Sequence, residues 1–180
     1  MKYQKTDIDG LYLITPEIFK DERGIFFEGW KQDSFNKNVI NTKFLQDNIS
    51  ISKKGVLRGL HYQIEKPQGK LIKVNQGCIY DVAVDLRKNS ETYGKWYGVE
   101  LSSKNMKQFW IPKGFAHGFY VISDMAEVVY KVDEEYYPAY EQCILWNDKY
   151  LDIAWPISNG PILSTKDKLG INFVDAKKLT

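Results

Sequence analysis

The chain has 180 residues, with 25 basic against 23 acidic side chains, 43% hydrophobic and 14% aromatic content. That length fits one domain, spanning residues 1–180, with a substantial core. The net charge of +2, spread without a basic stripe, argues against a nucleic-acid partner. No apolar run approaches the ~20 residues that cross a bilayer, and the Met1–Asp7 stretch lacks the apolar region of a signal peptide. A cytoplasmic protein with no membrane partner is therefore expected.

In chain order, Leu11–Ile14 reads as a short strand closed by Thr15-Pro16. Asp21-Glu22-Arg23-Gly24 is a turn and Ile25–Trp30 a strand; Arg23 and Glu28 flank its aromatics in what the residues alone read as a solvated hairpin. Asp33 is placed to cap a short helix through Val39, with Phe35 and Val39 on one face. Thr42–Gln46 is strand-like, and the polar triplet Gln46-Asp47-Asn48 reads as a turn or as a strand end facing a ligand, the turn being preferred. Gly55–Lys70 holds short apolar runs punctuated by glycines, which suits strands. Lys70–Arg87 alternates most clearly: Cys78, Tyr80, Val82, Val84 and Leu86 share one face, Ile79, Asp81, Ala83 and Asp85 the other, and Gly77 marks the turn into this strand. Asp81 and Asp85 then face either solvent or a polar lumen. Lys88–Lys95 is a loop, Trp96–Leu101 a strand and Ser102–Lys107 a polar turn.

Gln108–Ile111 leads into Pro112-Lys113-Gly114-Phe115-Ala116-His117-Gly118 and the apolar run Phe119–Ile122. Glu127–Val132 alternates again, and Tyr130 by itself reads as core packing. Ile144–Trp146 is a late strand, and Ser164-Thr165-Lys166-Asp167 has the form of a capping box. Cys78 and Cys143 lie in apolar runs and read as buried thiols, which suits a reducing compartment. Many short strands with Gly and Pro turns imply an all-β sandwich or barrel, best fitted by a double-sheet jelly roll with a few short flanking helices.

The chemistry concentrates in Gly55–Lys70, where Arg58, His61 and Lys70 fall within thirteen residues. Gly55-x5-His61 and Pro112-x-Gly114-x-x-His117 look like the paired signatures of the cupin superfamily. Metal-binding cupins continue His-x-His and then a Glu. Here Gln63 takes the second ligand position, and Pro67 and Gln68 fall where the Glu would be, so no metal is expected. What remains suits acid–base work. His61 is a base, Tyr130 an acid, Lys70 an oxyanion stabiliser, and Arg23, Arg58 and Lys166 are cations for a diphosphate. One base, one acid and one cation suit proton abstraction beside a carbonyl and reprotonation from the other face. No Gly-rich phosphate loop implies a redox cofactor, and none is expected. A non-catalytic ligand-binding barrel would read almost the same. Arg58 and His61 are three apart, so a flat strand would point them to opposite faces unless Gly59 introduces a bulge or twist, or the ligand wraps round the strand.

A longer set of blocks carries a more specific resemblance. These are Phe19-x-Asp-Glu-Arg-Gly-x-Phe-Phe-Glu28, Gln46-Asp-Asn48, Val56-Leu-Arg-Gly-Leu-His-Tyr-Gln63, Gln68-Gly-Lys-Leu71, Tyr80-Asp-Val-Ala-Val-Asp85, Trp110-Ile-Pro-x-Gly-Phe-Ala-His-Gly-Phe119, Tyr130-Lys131, Ile144-Leu-Trp-Asn-Asp148 and Ser164-x-Lys-Asp167. Together they resemble the dTDP-4-dehydrorhamnose 3,5-epimerase family from about residue 5 to 170. The resemblance implies a cupin jelly roll (a double-stranded β-helix) and cofactor-independent inversion at C-3 and C-5 of a dTDP-4-keto sugar. It places the base on His61, its orienting carboxylate on Asp167, the acid on Tyr130 and the enolate-holding lysine on Lys70. His117 and Asp81 become a supporting polar pair in the lumen. Substrate contacts fall on Arg23, Phe26, Glu28, Gln46, Asp47, Asn48, Arg58, Tyr136, Glu141 and Lys166. The resemblance also implies a homodimer whose N-terminal hairpin delivers Arg23, Phe26 and Glu28 to the partner's site. Relatives that epimerise C-3 alone keep nearly the same residues.

Overall fold

The computed structural model describes residues 1–179. Its strands are β1 (Lys2–Lys5), β2 (Tyr12–Thr15), β3 (Ile18–Asp21), β4 (Gly24–Phe27), β5 (Gln46–Lys53), β6 (Leu57–Gln63), β7 (Lys70–Gln76), β8 (Cys78–Asp85), β9 (Trp96–Ser102), β10 (Gln108–Ile111), β11 (Phe115–Val121), β12 (Met125–Val132) and β13 (Glu141–Cys143). Two short helices, α1 (Gln32–Asn38) and α2 (Thr165–Lys168), flank them. A six-stranded sheet runs β1-β2-β10-β7-β12-β5, a five-stranded sheet runs β13-β6-β11-β8-β9, and β3-β4 form a separate hairpin. This is the expected all-β cupin jelly roll. No helix among the described residues is long and apolar enough to cross a membrane.

The alternating strands explain the two layers of core. On β8, Ile79 and Ala83 point between the sheets and meet Ile72, Val74, Phe109 and Val128 from the opposite sheet. Their neighbours Val82 and Val84 point outward, with Leu86 just beyond the strand, where Leu151, Phe173, Ala176 and Leu179 of the C-terminal segment cover them. Apart from the polar patch around Asp81, both faces of β8 are therefore packed against apolar layers, which is why both registers of this stretch are rich in apolar residues. The outer face of the six-stranded sheet is covered near Trp110 by α1, through Phe35, whose ring centroid lies 5.1 Å from the indole.

Several local expectations shift. α1 starts at Gln32 with Lys31 at its N-cap and no side-chain cap, so Asp33 lies in the first turn and caps nothing. The late strand is β13, three residues before Ile144, which makes only an isolated bridge to Ile171. Cys78 is half-buried, whereas Cys143 is buried as expected. The largest shift concerns Gln46–Asn48. They begin strand β5 and form no turn, whereas residues 42–45 precede the strand. This strand inverts the usual pattern: Gln46, Asn48, Ser50 and Ser52 face inward, while Ile49 and Ile51 face outward, 65% and 62% exposed. Polar residues inside and isoleucines outside mislead any reading that assumes an apolar interior.

A candidate active site between the two sheets

A cleft of about 300 Å³ opens where the sheets diverge. The six-stranded sheet contributes Lys70 from β7, Tyr130 from β12 and Asn48 from β5; the five-stranded sheet contributes Arg58, His61 and Gln63 from β6 and His117 and Phe119 from β11. Tyr136, Glu141 and Lys166 close one end. Arg58 and His61 share this cleft because β6 carries a bulge. His61 pairs with His117 and Arg58 with Phe119, so three steps of β6 match two of β11. Gly59 sits in the bulge at φ +112, and a Cβ there would lie 2.6 Å from Gly118 Cα. Only glycine fits that backbone and that approach. The bulge and its tight strand contact thus settle the parity question raised by the sequence.

His61 and Asp167 form the central pair. His61 Nε2 stands 2.6 Å from Asp167 Oδ1, which also receives the Gly59 N–H at 3.2 Å. Asp167 Oδ2 accepts from the Ser164 hydroxyl at 2.6 Å, and the same hydroxyl caps α2 by accepting from the Asp167 N–H. Burial alone would raise this carboxyl, but the hydrogen bonds from His61, Ser164 and Gly59 outweigh it and hold it at about 2. Asp167 is therefore an acceptor at neutral pH, which places the imidazole proton on Nε2 and leaves the Nδ1 lone pair free. Ser164 is the expected N-cap, but the Asp167 carboxylate turns to His61 and to the Ser164 hydroxyl instead of closing a capping box on the Ser164 backbone N–H, and so builds the dyad.

Lys70 is buried, with its Nζ 3.4 Å from the His61 carbonyl; burial pushes it down to about 8, against the partial support of Glu141 and Asp81. Asp81, fully buried, meets His117 Nε2 through both oxygens at 3.0 Å, and burial raises it despite that partner. The inward aspartate of β8 thus faces the polar lumen. Asp85, on the same face, does not: it is tied to Arg87, Ser90 and Thr92 as a structural staple of the following loop. Tyr130 is raised by burial, although Arg58 pulls it back, so its phenol stays protonated through the physiological range. Tyr130 packs against the core between the sheets, as its strand position suggests, and also lines the cleft.

Not every expected contact converges in one chain. Asp47 points away from the cleft, since it sits between Gln46 and Asn48 on an alternating strand, and its carboxylate pairs with Lys131 at 2.9 Å. Gln46 shares the inward face and donates to Asn48 at 2.7 Å. Arg23, Phe26 and Glu28 are exposed on or beside the β3–β4 hairpin and do not line this cleft; Arg23 pairs with Asp21 at 2.6 Å. Tyr62, Gln68 and Phe119 also line the cleft, beyond the residues that the sequence points to. The signal for Phe119 was its two-residue offset from His117 on one strand face.

The donor set argues against a metal centre. Gln63, in the second metal-ligand position, spends its amide on the backbone: Nε2 donates to Lys66 O at 2.7 Å and Oε1 accepts from the Tyr137 N–H at 2.8 Å. Elsewhere, donor atoms of His61, Cys143 and Asp167 lie within 4.8 Å of one another. There, burial beside Asp167 pushes the Cys143 thiol up to about 12, so it stays protonated, and His61 Nε2 is committed to Asp167.

The family model described as dTDP-4-dehydrorhamnose 3,5-epimerase matches residues 5–175 of this chain. The Shigella flexneri protein of that name is 52% identical, the match covering 98% of each chain. A crystal structure of the Legionella pneumophila dTDP-6-deoxy-D-glucose-3,5-epimerase in complex with dTDP-4-keto-L-rhamnose superposes with a TM-score of 0.95 at 47% identity, over 98% of this chain and 94% of that one. A 3'-monoepimerase from Streptomyces bikiniensis, in complex with dTDP-quinovose, superposes with a TM-score of 0.88 at 31% identity, over 94% of this chain and 86% of that one.

Proposed function

The chain belongs to the dTDP-4-dehydrorhamnose 3,5-epimerase family, and from that premise we propose how its own residues carry out the reaction. The protein is an isomerase that converts dTDP-4-dehydro-6-deoxy-D-glucose to dTDP-4-dehydro-L-rhamnose. His61 Nδ1 takes the proton from C-3, and in a second round from C-5, each acidified by the C-4 ketone. The electron pair moves onto O-4, where the Lys70 ammonium holds the enolate. Tyr130 returns a proton from the other side. The observation that carries this reading is placement: base and acid stand on opposite sheets, β6 and β12, with Lys70 lining the same cleft. Inversion requires removal on one face and delivery on the other. Arg58 and Lys166 meet the diphosphate, Asn48, Gln46, Tyr136 and Glu141 surround the substrate, and the His117–Asp81 pair supports the lumen.

Incubation with the 4-keto sugar in heavy water, without a reductase, tests the assignment. Deuterium is expected at both C-3 and C-5, with some product of inverted configuration. Label at C-3 alone would make the chain a monoepimerase like the Streptomyces relative; no label despite tight dTDP binding would make it a binding module.

A homodimer completes the site in this reading. The hairpin carries Arg23, Phe26 and Glu28 away from its own cleft, with Phe26 73% exposed. Edge strand β5 turns Ile49 and Ile51 outward, an apolar face that a second copy would bury. Mixing two impaired variants, Arg23→Ala/Phe26→Ala and His61→Ala, and allowing subunits to exchange is expected to restore activity to about a quarter of the sites, since half the dimers are mixed and each holds one intact site. No recovery, with exchange verified, would confine the hairpin to its own chain. The nucleotide-sugar substrate and the free thiols of Cys78 and Cys143 support a cytoplasmic location.

A further inference from the structure

Glu141 sits where three parts of the cleft meet. Its Oε2 accepts from the Tyr136 hydroxyl at 2.6 Å and from Lys166 Nζ at 2.7 Å. Its Oε1 stands 3.9 Å from His61 Nδ1, the nitrogen that Asp167 leaves free. The carboxylate is 13% exposed and the lysine 50%. A diphosphate arriving at Lys166 would bring at least two negative charges against Glu141, so the lysine cannot serve both anions fully. Glu141 itself is a poor diphosphate contact, yet it is well placed for a cation forming on Nδ1. The other charged groups near the ring are Asp167 from α2 and Lys70 from β7, beside the His61 carbonyl; the His117 imidazole lies opposite on β11.

We propose that the Glu141–Lys166 ion pair is exchanged on binding: the substrate's diphosphate takes Lys166, and the freed Glu141 becomes the second counter-ion of the His61 imidazolium. The exchange rests on the reading above that Lys166 meets the diphosphate. The proton balance is simple. The substrate C–H bond breaks, its proton goes to Nδ1 and its electrons pass to O-4. The new positive charge lies between Asp167 and Glu141, and the new negative charge lies beside Lys70. While Lys166 neutralises Glu141, the pull of that carboxylate on the imidazolium is weak; once the diphosphate has drawn Lys166 off, it is strong. Correct binding thus readies the base, without any movement of the β6 backbone.

Glu141→Gln separates the two roles. Removing the competitor for Lys166 is expected to tighten dTDP binding about two- to fivefold, the size of one half-exposed ion pair. Losing the counter-ion is expected to lower kcat about tenfold. A merely structural glutamate would weaken both, so tighter binding with slower turnover is the signature. Calorimetry with dTDP and with thymidine supplies the binding arm. Lys166→Met should weaken dTDP but not thymidine, and in the Lys166→Met/Glu141→Gln double variant the tightening should vanish. Weaker dTDP binding, or unchanged kcat, in folded Glu141→Gln would overturn the exchange. Undiminished dTDP binding by Lys166→Met would instead overturn the diphosphate assignment on which it rests. Should Glu141→Gln not fold, Glu141→Asp, whose shorter side chain draws back from both partners, is expected to give the same split, and its absence there overturns the exchange equally.

Discussion

Asp167→Asn is expected to slow epimerisation about ten-thousandfold, the scale seen when the orienting carboxylate of a histidine dyad becomes an amide. The cause is the tautomer rather than a lost contact. Asp167 can only accept, so it fixes the proton on His61 Nε2, 2.6 Å away. Asparagine can turn its NH2 toward that nitrogen. Nε2 then becomes the acceptor, the proton moves to Nδ1, and the lone pair that would remove the substrate proton is gone. The Ser164 hydroxyl, which donates to Asp167 Oδ2 at 2.6 Å, favours this outcome by holding the amide oxygen on its own side, at the cost of the longer 3.2 Å bond from the Gly59 N–H, which loses its acceptor. Stability falls as well. The folded carboxyl lies at about 2 against the ordinary 3.8, a depressed value, so its contribution is fully present above about 4 and is lost as pH falls through about 2. The difference corresponds to about 2 kcal/mol at neutral pH. Urea titration at pH 7 and at pH 2 reads this directly: wild type and variant should differ at pH 7 and converge in acid. Turnover within tenfold of wild type would remove Asp167 from the dyad.

The architecture was legible because most strands obey one rule. Alternation on β8 and β12, with Gly77 at the turn between β7 and β8, yields a sheet whatever the rest of the chain does. Strand β5 was not legible by that rule, because it lines a polar lumen on one side and turns Ile49 and Ile51 outward on the other. It alternates strictly but with its polarity reversed, which is what a strand does when its inner face is a binding site. The Ser-x-x-Asp form of the 164–167 stretch identified a helix start. Nothing local showed that the same carboxylate would meet a histidine 106 positions earlier. Family resemblance supplied that pairing, and the fold supplies its reason. The Gly55 and Ile162 backbones bond to each other, as do Ile144 and Leu60, and these ties lay the C-terminal segment along β6. The same logic covers Asp47, the middle residue of the Gln46-Asp-Asn48 motif. Strand parity separates that residue from its neighbours, so a three-residue match delivers two inward side chains and one surface ion pair.

Lys70→Met should produce a protein that is more stable and almost inactive. The residue is 8% exposed, and its ammonium lies at about 8 against an ordinary 10.5. Its folded value is depressed, so between about 8 and 10.5 the unfolded chain binds more protons than the folded one, and wild-type stability should rise with pH across that window. Below about 8 the full cost of the buried charge remains, about 3 kcal/mol. Methionine of similar length fills the space without that cost, so the variant should gain stability at pH 7 by up to about that amount and lose the rise between pH 8 and 10.5. Activity moves the other way. An enolate at O-4 without a cation beside it loses its main electrostatic support, and turnover should fall about a hundred- to a thousandfold. The same charge sets the alkaline limb of the wild-type rate. Tyr130 is raised above the ordinary phenol value of 10.0, so it is Lys70 that titrates first, and kcat/KM should decline as pH rises through about 8. Stability and rate profiles measured side by side between pH 6 and 11 should therefore cross: the fold strengthens over the interval in which catalysis is lost. A lysine that only fills space would leave the rate flat through that interval.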